Sequence, residues 1–173
     1  YRLKVEHSIK QKDYVDWLYA QLENLVSSIP KLKIKNLAGK EYISYWFTTY
    51  SLGEFRFYAQ KFYSNGKKVI PKFVFKLLDP LAIAVWFMDD GSFKSVRHRT
   101  FIIHTLGYSK KDLLLIKEVF RSKFGIDLEL HRQKRNSFRL YVLSKSADDF
   151  KALVNPYIIP VFRYKLGEHM PKK

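Results

Sequence analysis

The chain has 173 residues, 47% hydrophobic and 17% aromatic, which is enough apolar surface for one ordinary domain or two small repeats and argues against disorder. Lys and Arg number 32 against 16 Asp and Glu, and the resulting balance of +16 points to a polyanionic partner. The absence of cysteine excludes disulfides and thiolate metal sites, and no apolar run approaches the roughly 20 residues that span a bilayer, so the reading is of a soluble protein without a membrane partner.

In chain order, Leu3 to His7 has a short strand pattern, and Lys12-Asp13 opens a helix expected to reach about Val26. Strands are expected near 31–35 and 43–50, then a helix near 53–63 and a turn at Asn65-Gly66. The stretch Leu81-Ala-Ile-Ala-Val-Trp-Phe-Met-Asp-Asp-Gly91 reads as a buried helix stopped by Gly91, with Asp89 and Asp90 beside its unpaired terminal carbonyls. That end of a helix is already negative, so something cationic should sit there; carboxylates beside carbonyls suit a hard cation such as Mg²⁺. A strand is expected at about 97–105, followed by the capping box Ser109-x-x-Asp112. The helix it opens carries Leu113, Ile116, Phe120 and Phe124 on one face and stops at Gly125. Strands at 128–134 and 137–143 join through Arg135-Asn136-Ser137, and a last helix runs from Ala147 to Val154. Trp46, Trp86 and Phe120 have the spacing of core residues.

The pattern repeats. Leu3 to Tyr14 parallels Ile102 to Leu113, with Asp13 and Asp112 separated by 99 positions, and Ile70-Pro71 answers Ile159-Pro160. Two similar halves are the economical organisation, residues 1–79 and 80–173, sharing a core without a low-complexity linker. His7 and His104 lie in the matching strand segments of this repeat, 97 positions apart, but neither has a second ligand at metal spacing, and both read as strand surface.

The run Pro80 to Gly91, with Ile83 to Gly91 in register, resembles the LAGLIDADG motif of homing endonucleases, and Asp90 matches the motif's last acid. Lys67-Lys68-Val69-Ile70-Pro71, Pro156-Tyr157-Ile158-Ile159-Pro160 and Tyr164-Lys165-Leu166 resemble the branch typified by a yeast mitochondrial intron-encoded enzyme. Val85 stands where the consensus has glycine. The resemblance implies an α/β (α+β) fold of two pseudo-symmetric halves, whose antiparallel sheets form a saddle over double-stranded DNA with helices on the outer face. It implies a catalytic set of Asp90, Lys68 and Lys165 and a divalent ion, Mg²⁺ or Mn²⁺, on Asp90. Asp89 stands as a second metal ligand or as a solvent-facing acid, because neighbours on a helix diverge by about 100 degrees and only one aims into the site. The family pairs two motif helices, and subtracting 99 places the first at about −16 to −8, upstream of Tyr1. The expectation is a pseudo-symmetric monomer lacking an N-terminal segment, or half of an assembly.

A sheet packed on one face presents alternate residues to a duplex on the other. Segment 94–139 holds twelve Lys or Arg against four Asp or Glu. Arg97, Arg99, His131, Arg132, Gln133, Lys134, Arg135 and Arg139, with Lys33 and Lys35 from the first half, are the candidate phosphate or base readers. The expected function is site-specific cleavage of double-stranded DNA inside an organelle (mitochondrion or chloroplast) or a bacterial cytoplasm. The alternative is a catalytically inactive nucleic-acid-binding relative, such as an intron maturase with intron RNA as partner.

Overall fold

The computed structural model describes residues 1–134 and 137–168, with the backbone alone at Lys134. It divides into two compact units, Tyr1–Gln60 and Lys61–Lys173. Both combine helices with an antiparallel sheet, as the sequence implied. Among the described residues no helix is long and apolar enough to cross a membrane.

The first unit has a three-stranded sheet of order β1-β3-β2, from β1 (Lys4–Ser8), β2 (Lys31–Leu37) and β3 (Lys40–Thr48). Val5 pairs with Phe47 and Leu32 with Tyr45, so these side chains share one face. Helix α1 (Lys12–Gln21) covers that face, with Tyr14 and Val15 fully buried and Tyr19 edge-on to Phe47. The helix expected to reach Val26 ends five residues sooner. A 3₁₀ turn, Glu23–Leu25, follows it, and Val26 is extended and bridged to Thr49, because its side chain belongs to the sheet's apolar cluster. The β2–β3 turn places Ala38 at φ +49° and Gly39 at +74°, the left-handed pair that matches the twist of a two-residue hairpin. Trp46, read as core, instead lies half-buried on the opposite face, where the Lys4 ammonium stands 5.2 Å from its ring. Helix α2 (Gly53–Phe62) follows.

In the second unit, Asn65 and Gly66 take φ +49° and +72° and turn the chain between β4 (Tyr63–Ser64) and β5 (Lys67–Lys68). The short helix α3 (Val74–Leu77) leads to α4 (Pro80–Asp90). Asp79 caps α4 by accepting a hydrogen bond from the Ala82 amide at 2.7 Å, and Pro80 occupies the first turn, where its missing N–H is not needed. Ile83, Ala84, Phe87 and Met88 form the buried stripe of α4, and Phe87 packs edge-on against Phe101 and Phe150. Each such aromatic contributes about 1.5–3 kcal/mol by leaving water. Gly91 ends the helix by a route different from the left-handed cap a terminal glycine ordinarily supplies. Its φ of −87° and ψ of 157° are extended, and a Cβ there would overlap the Phe87 ring and carbonyl.

Because Gly91 is extended, a strand begins at once. β6 (Gly91–Phe93) was not foreseen, and the strand expected at about 97–105 shrinks to β7 (Phe101–Ile103); residues 94–100 are a loop whose ends close through Lys94 N–H to Thr100 O at 2.8 Å. Helix α5 (Lys110–Phe124) has the expected capping box and ends at Gly125, φ +68°. Leu113, Ile116, Val119 and Phe120 are its buried residues, while Phe124 is only half-buried. β8 (Leu128–Lys134) and β9 (Ser137–Val142) complete a sheet of order β6-β7-β9-β8, and α6 (Ala147–Val154) packs on α4. A 3₁₀ helix, Pro160–Leu166, follows, anchored by buried Phe162 and Leu166.

Candidate active site and nucleic-acid interface

The end of α4 carries the two acids that the sequence singled out. Asp90 is exposed, and among the described residues its carboxylate makes no hydrogen bond or ion pair. Its backbone oxygen accepts from the His104 amide at 2.9 Å, which extends the β6–β7 ladder into the last helical residue. The cation required by the terminal carbonyls is Lys165. Its ammonium donates to Met88 O at 2.5 Å and to Asp89 O at 3.3 Å. Those two carbonyls are therefore held by an ammonium rather than by the hard cation that the sequence suggested for the helix end. Burial pushes the Lys165 pKa below the ordinary lysine range, with Asp89 and Asp90 pulling it back up. Asp89 and Asp90 are both exposed and both act on the Lys165 charge, and among the described residues the Asp90 carboxylate makes no hydrogen bond or ion pair.

Around this end stand Ser92, His104 and Tyr108, which lie outside the catalytic set implied by the sequence. His104 Nε2 is 3.2 Å from Ser92 Oγ, which places both on the sheet face away from the helices. Burial and then the Arg139 charge lower the His104 pKa, Asp90 opposing and Lys165 adding to the fall. Tyr108 is half-buried, and its phenol pKa is raised by burial and then by Asp90. Lys68, exposed on β5, carries its ammonium 6.0 Å from the Tyr108 ring. The repeat pairing of His7 with His104 was the available signal, but the two differ. His7 shares the Val5 face of β1 and meets Tyr14 at 5.1 Å, whereas His104 faces outward. The two stand 97 positions apart, not the 99 that separates Asp13 from Asp112, and at 99 His104 answers Val5, so their likeness in sequence carries no common environment.

The outer face of the second sheet follows from register. Leu128 pairs with Val142 and Leu130 with Leu140 on the core side, so Glu129, His131, Arg139 and Tyr141 point away from it. His131 stacks on Tyr141 with ring centroids 3.9 Å apart, and the Lys94 ammonium lies 5.1 Å from the Tyr141 ring. Arg139 Nε is buried and lacks a hydrogen-bond partner among the described residues. The ladder slips between Arg132 and Lys134, which makes Gln133 the extra residue of a bulge. Arg132, opposite Phe138, has the parity of the core side and is exposed only because it lies beyond the core. Arg97 and Arg99 sit on the 94–100 loop instead of a strand, Arg99 at φ +42°. Arg135 and the side chain of Lys134 lie outside the described residues. In the first unit, Lys33 and Lys35 occupy the sheet face opposite α1, and Lys33 stands 3.6 Å from the Glu6 carboxylate.

Oxygen donors on an exposed carboxylate fit Mg²⁺ or Mn²⁺, but one carboxylate is only a share of a site. Among the described residues no three His, Cys, Asp or Glu side chains cluster to hold an ion by themselves. The second unit thus combines a buried helix ending in two exposed acids, a lysine on that helix's last carbonyls, and a sheet face carrying His131 and Arg139. Residues 1–150 match the LAGLIDADG DNA endonuclease family, and the chain belongs to it. It is 30% identical over 163 residues to a probable intron-encoded endonuclease of Wickerhamomyces canadensis, covering 91% of this chain and 70% of that protein. It is 29% identical over 163 residues to the cytochrome b mRNA maturase bI2 of Debaryomyces hansenii, covering 91% of this chain and 61% of that protein. The structure of the homing endonuclease I-WcaI bound to its DNA recognition sequence superposes with a TM-score of 0.83 at 27% identity, over 95% of this chain and 74% of that one.

Proposed function

We infer that the chain is a site-specific endonuclease of double-stranded DNA, of the intron-homing type, with Asp90 as its metal-binding acid. The observation that carries this is the unpartnered Asp90 carboxylate at the end of a buried helix whose carbonyls Lys165 has already neutralised. A bound Mg²⁺ or Mn²⁺ supplies charge neutralisation at the scissile phosphate and an acidified water. Asp90 holds it through carboxylate oxygens, with Asp89 outside the direct ligand set. Lys165 and Lys68 present ammonium groups to the phosphate charge that grows in the transition state. The sheet faces carrying Lys33, Lys35, His131, Gln133 and Arg139 contact the duplex, joined by Arg97 and Arg99 of the 94–100 loop and by Arg132; Lys134 and Arg135 belong to the set by sequence alone, and the reaction takes place inside the cell or an organelle.

Asp90→Asn tests this. It should abolish Mg²⁺-dependent cutting while leaving DNA affinity within about twofold, because phosphate contacts carry most of the binding. Undiminished cutting by that variant would remove Asp90 from the metal site. The 29% identity to a maturase favours a second reading, intron RNA binding without cleavage. In that case the same variant supports splicing as well as the parent does, and the parent cuts no duplex.

A further inference from the structure

We propose that Asp112 is the positioning residue for Lys68, an inference that rests on the assignment of Lys68 to the catalytic centre. The two oxygens of Asp112 have different tasks. Oδ2 accepts from the Ser109 hydroxyl at 2.6 Å and the Ser109 amide at 3.3 Å, which closes the capping box of α5. Oδ1 accepts from the amide of Ile70 at 3.2 Å, 42 residues earlier in the chain. A capping box is complete without that second bond. Ile70 lies two residues beyond Lys68, and Pro71 after it has no amide to offer.

The segment needs the tether. β4 and β5 pair over only two residues each, and a two-stranded hairpin of that length holds itself weakly. Beyond the turn, the Val69 amide bonds to Phe62 O at 2.9 Å and the Ile70 amide to Asp112; these two bonds set where Lys68 leaves the backbone. Tyr108, whose ring the Lys68 ammonium faces, immediately precedes Ser109. One carboxylate thus locks the strand that bears Lys68 and the loop that bears its aromatic neighbour.

The experiment uses the full-length protein and a duplex that it selects from a randomised DNA library. It measures single-turnover cleavage at saturating protein in Mg²⁺, DNA affinity and the melting temperature. Asp112→Ala should slow cleavage about tenfold or more, since displacing a catalytic group by about 1 Å can cost 10²-fold, while affinity stays unchanged. Ser109→Ala loses the helix cap but keeps the Ile70 bond, so it should melt earlier yet cleave at the parent rate. Asp112→Asn, whose amide oxygen still accepts from Ile70, should retain most of the rate. The Lys68→Ala/Asp112→Ala double variant should be no slower than Lys68→Ala, because the two act through one group. Additive losses, parallel loss of rate in Ser109→Ala, or a parent rate in Asp112→Ala would each overturn the proposal and leave Asp90 untouched. A parent rate in Lys68→Ala would overturn it by removing Lys68 from the centre.

Discussion

Lys165 places its ammonium 2.5 Å from the carbonyl oxygen of Met88, across 77 residues of chain, and so provides the positive charge that the C-terminal end of α4 demands. Without it, two adjacent acids would face an already negative helix end. Lys165→Met keeps much of the stem's volume and removes the charge. Single-turnover cleavage should fall by about 100-fold, the size of effect seen when one preorganised donor is deleted, while DNA affinity holds. An unchanged rate would assign Lys165 to the scaffold.

Gly91 allows the chain to pass from helix to strand against Phe87. In Gly91→Ala the new methyl has no space between the Phe87 ring and carbonyl, and both belong to the buried packing of α4. Overpacking of this kind costs about 1–3 kcal/mol, read as a lower denaturant midpoint at unchanged slope. An equal midpoint would show that Phe87 relaxes freely.

Arg139 projects from the outer face of β9, opposite His131, with its Nε buried and unsatisfied among the described residues. A phosphate oxygen satisfies such a group. Arg139→Ala should therefore weaken binding evenly across DNA sequences and reduce the slope of log affinity against log salt by about 1. Loss of discrimination at a single base pair would instead identify Arg139 as a base reader.

Glu6 has its pKa lowered from 4.5 to about 2, first by the Lys4 ammonium, then by the Ser44 hydroxyl, with the Lys33 charge adding. A depressed carboxylate contributes stability that is present above pH 4.5 and is lost as pH falls from 4.5 toward 2, because the unfolded chain takes up the proton first. Glu6→Gln should be less stable than the parent at pH 7, and the two should converge as pH approaches 2. A constant difference between them down to that pH would mean that Glu6 acts through packing. Chemical unfolding across the range measures it.

Local signals in the sequence survived folding where they depended on neighbours a few residues away. Asn65-Gly66, the Ser109–Asp112 box, the Gly125 stop and the apolar run of α4 all have the geometry their residue types dictate. The failures share a cause. Val26 is extended because it serves a sheet cluster, β6 begins at Gly91 because that residue is extended and pairs with Ile103, and Trp46 faces outward because register assigns it that parity. None of these follows from spacing within one segment. His104 was passed over for the same reason. Its importance comes from Ser92, Arg139 and the Asp90 carbonyl, which are separated in sequence and meet through the ladder.

The amino-acid order alone determined that a basic, cysteine-free chain carries an apolar helix ending in Asp89-Asp90-Gly91, since charge balance and helix periodicity are properties of composition and short range. Tertiary structure decided which atoms neutralise the helix end. Lys165 reaches the Met88 and Asp89 carbonyls from a 3₁₀ helix anchored by buried Phe162 and Leu166. A long-range electrostatic contact requires two segments to be packed before it exists, and packing is a property of the folded whole.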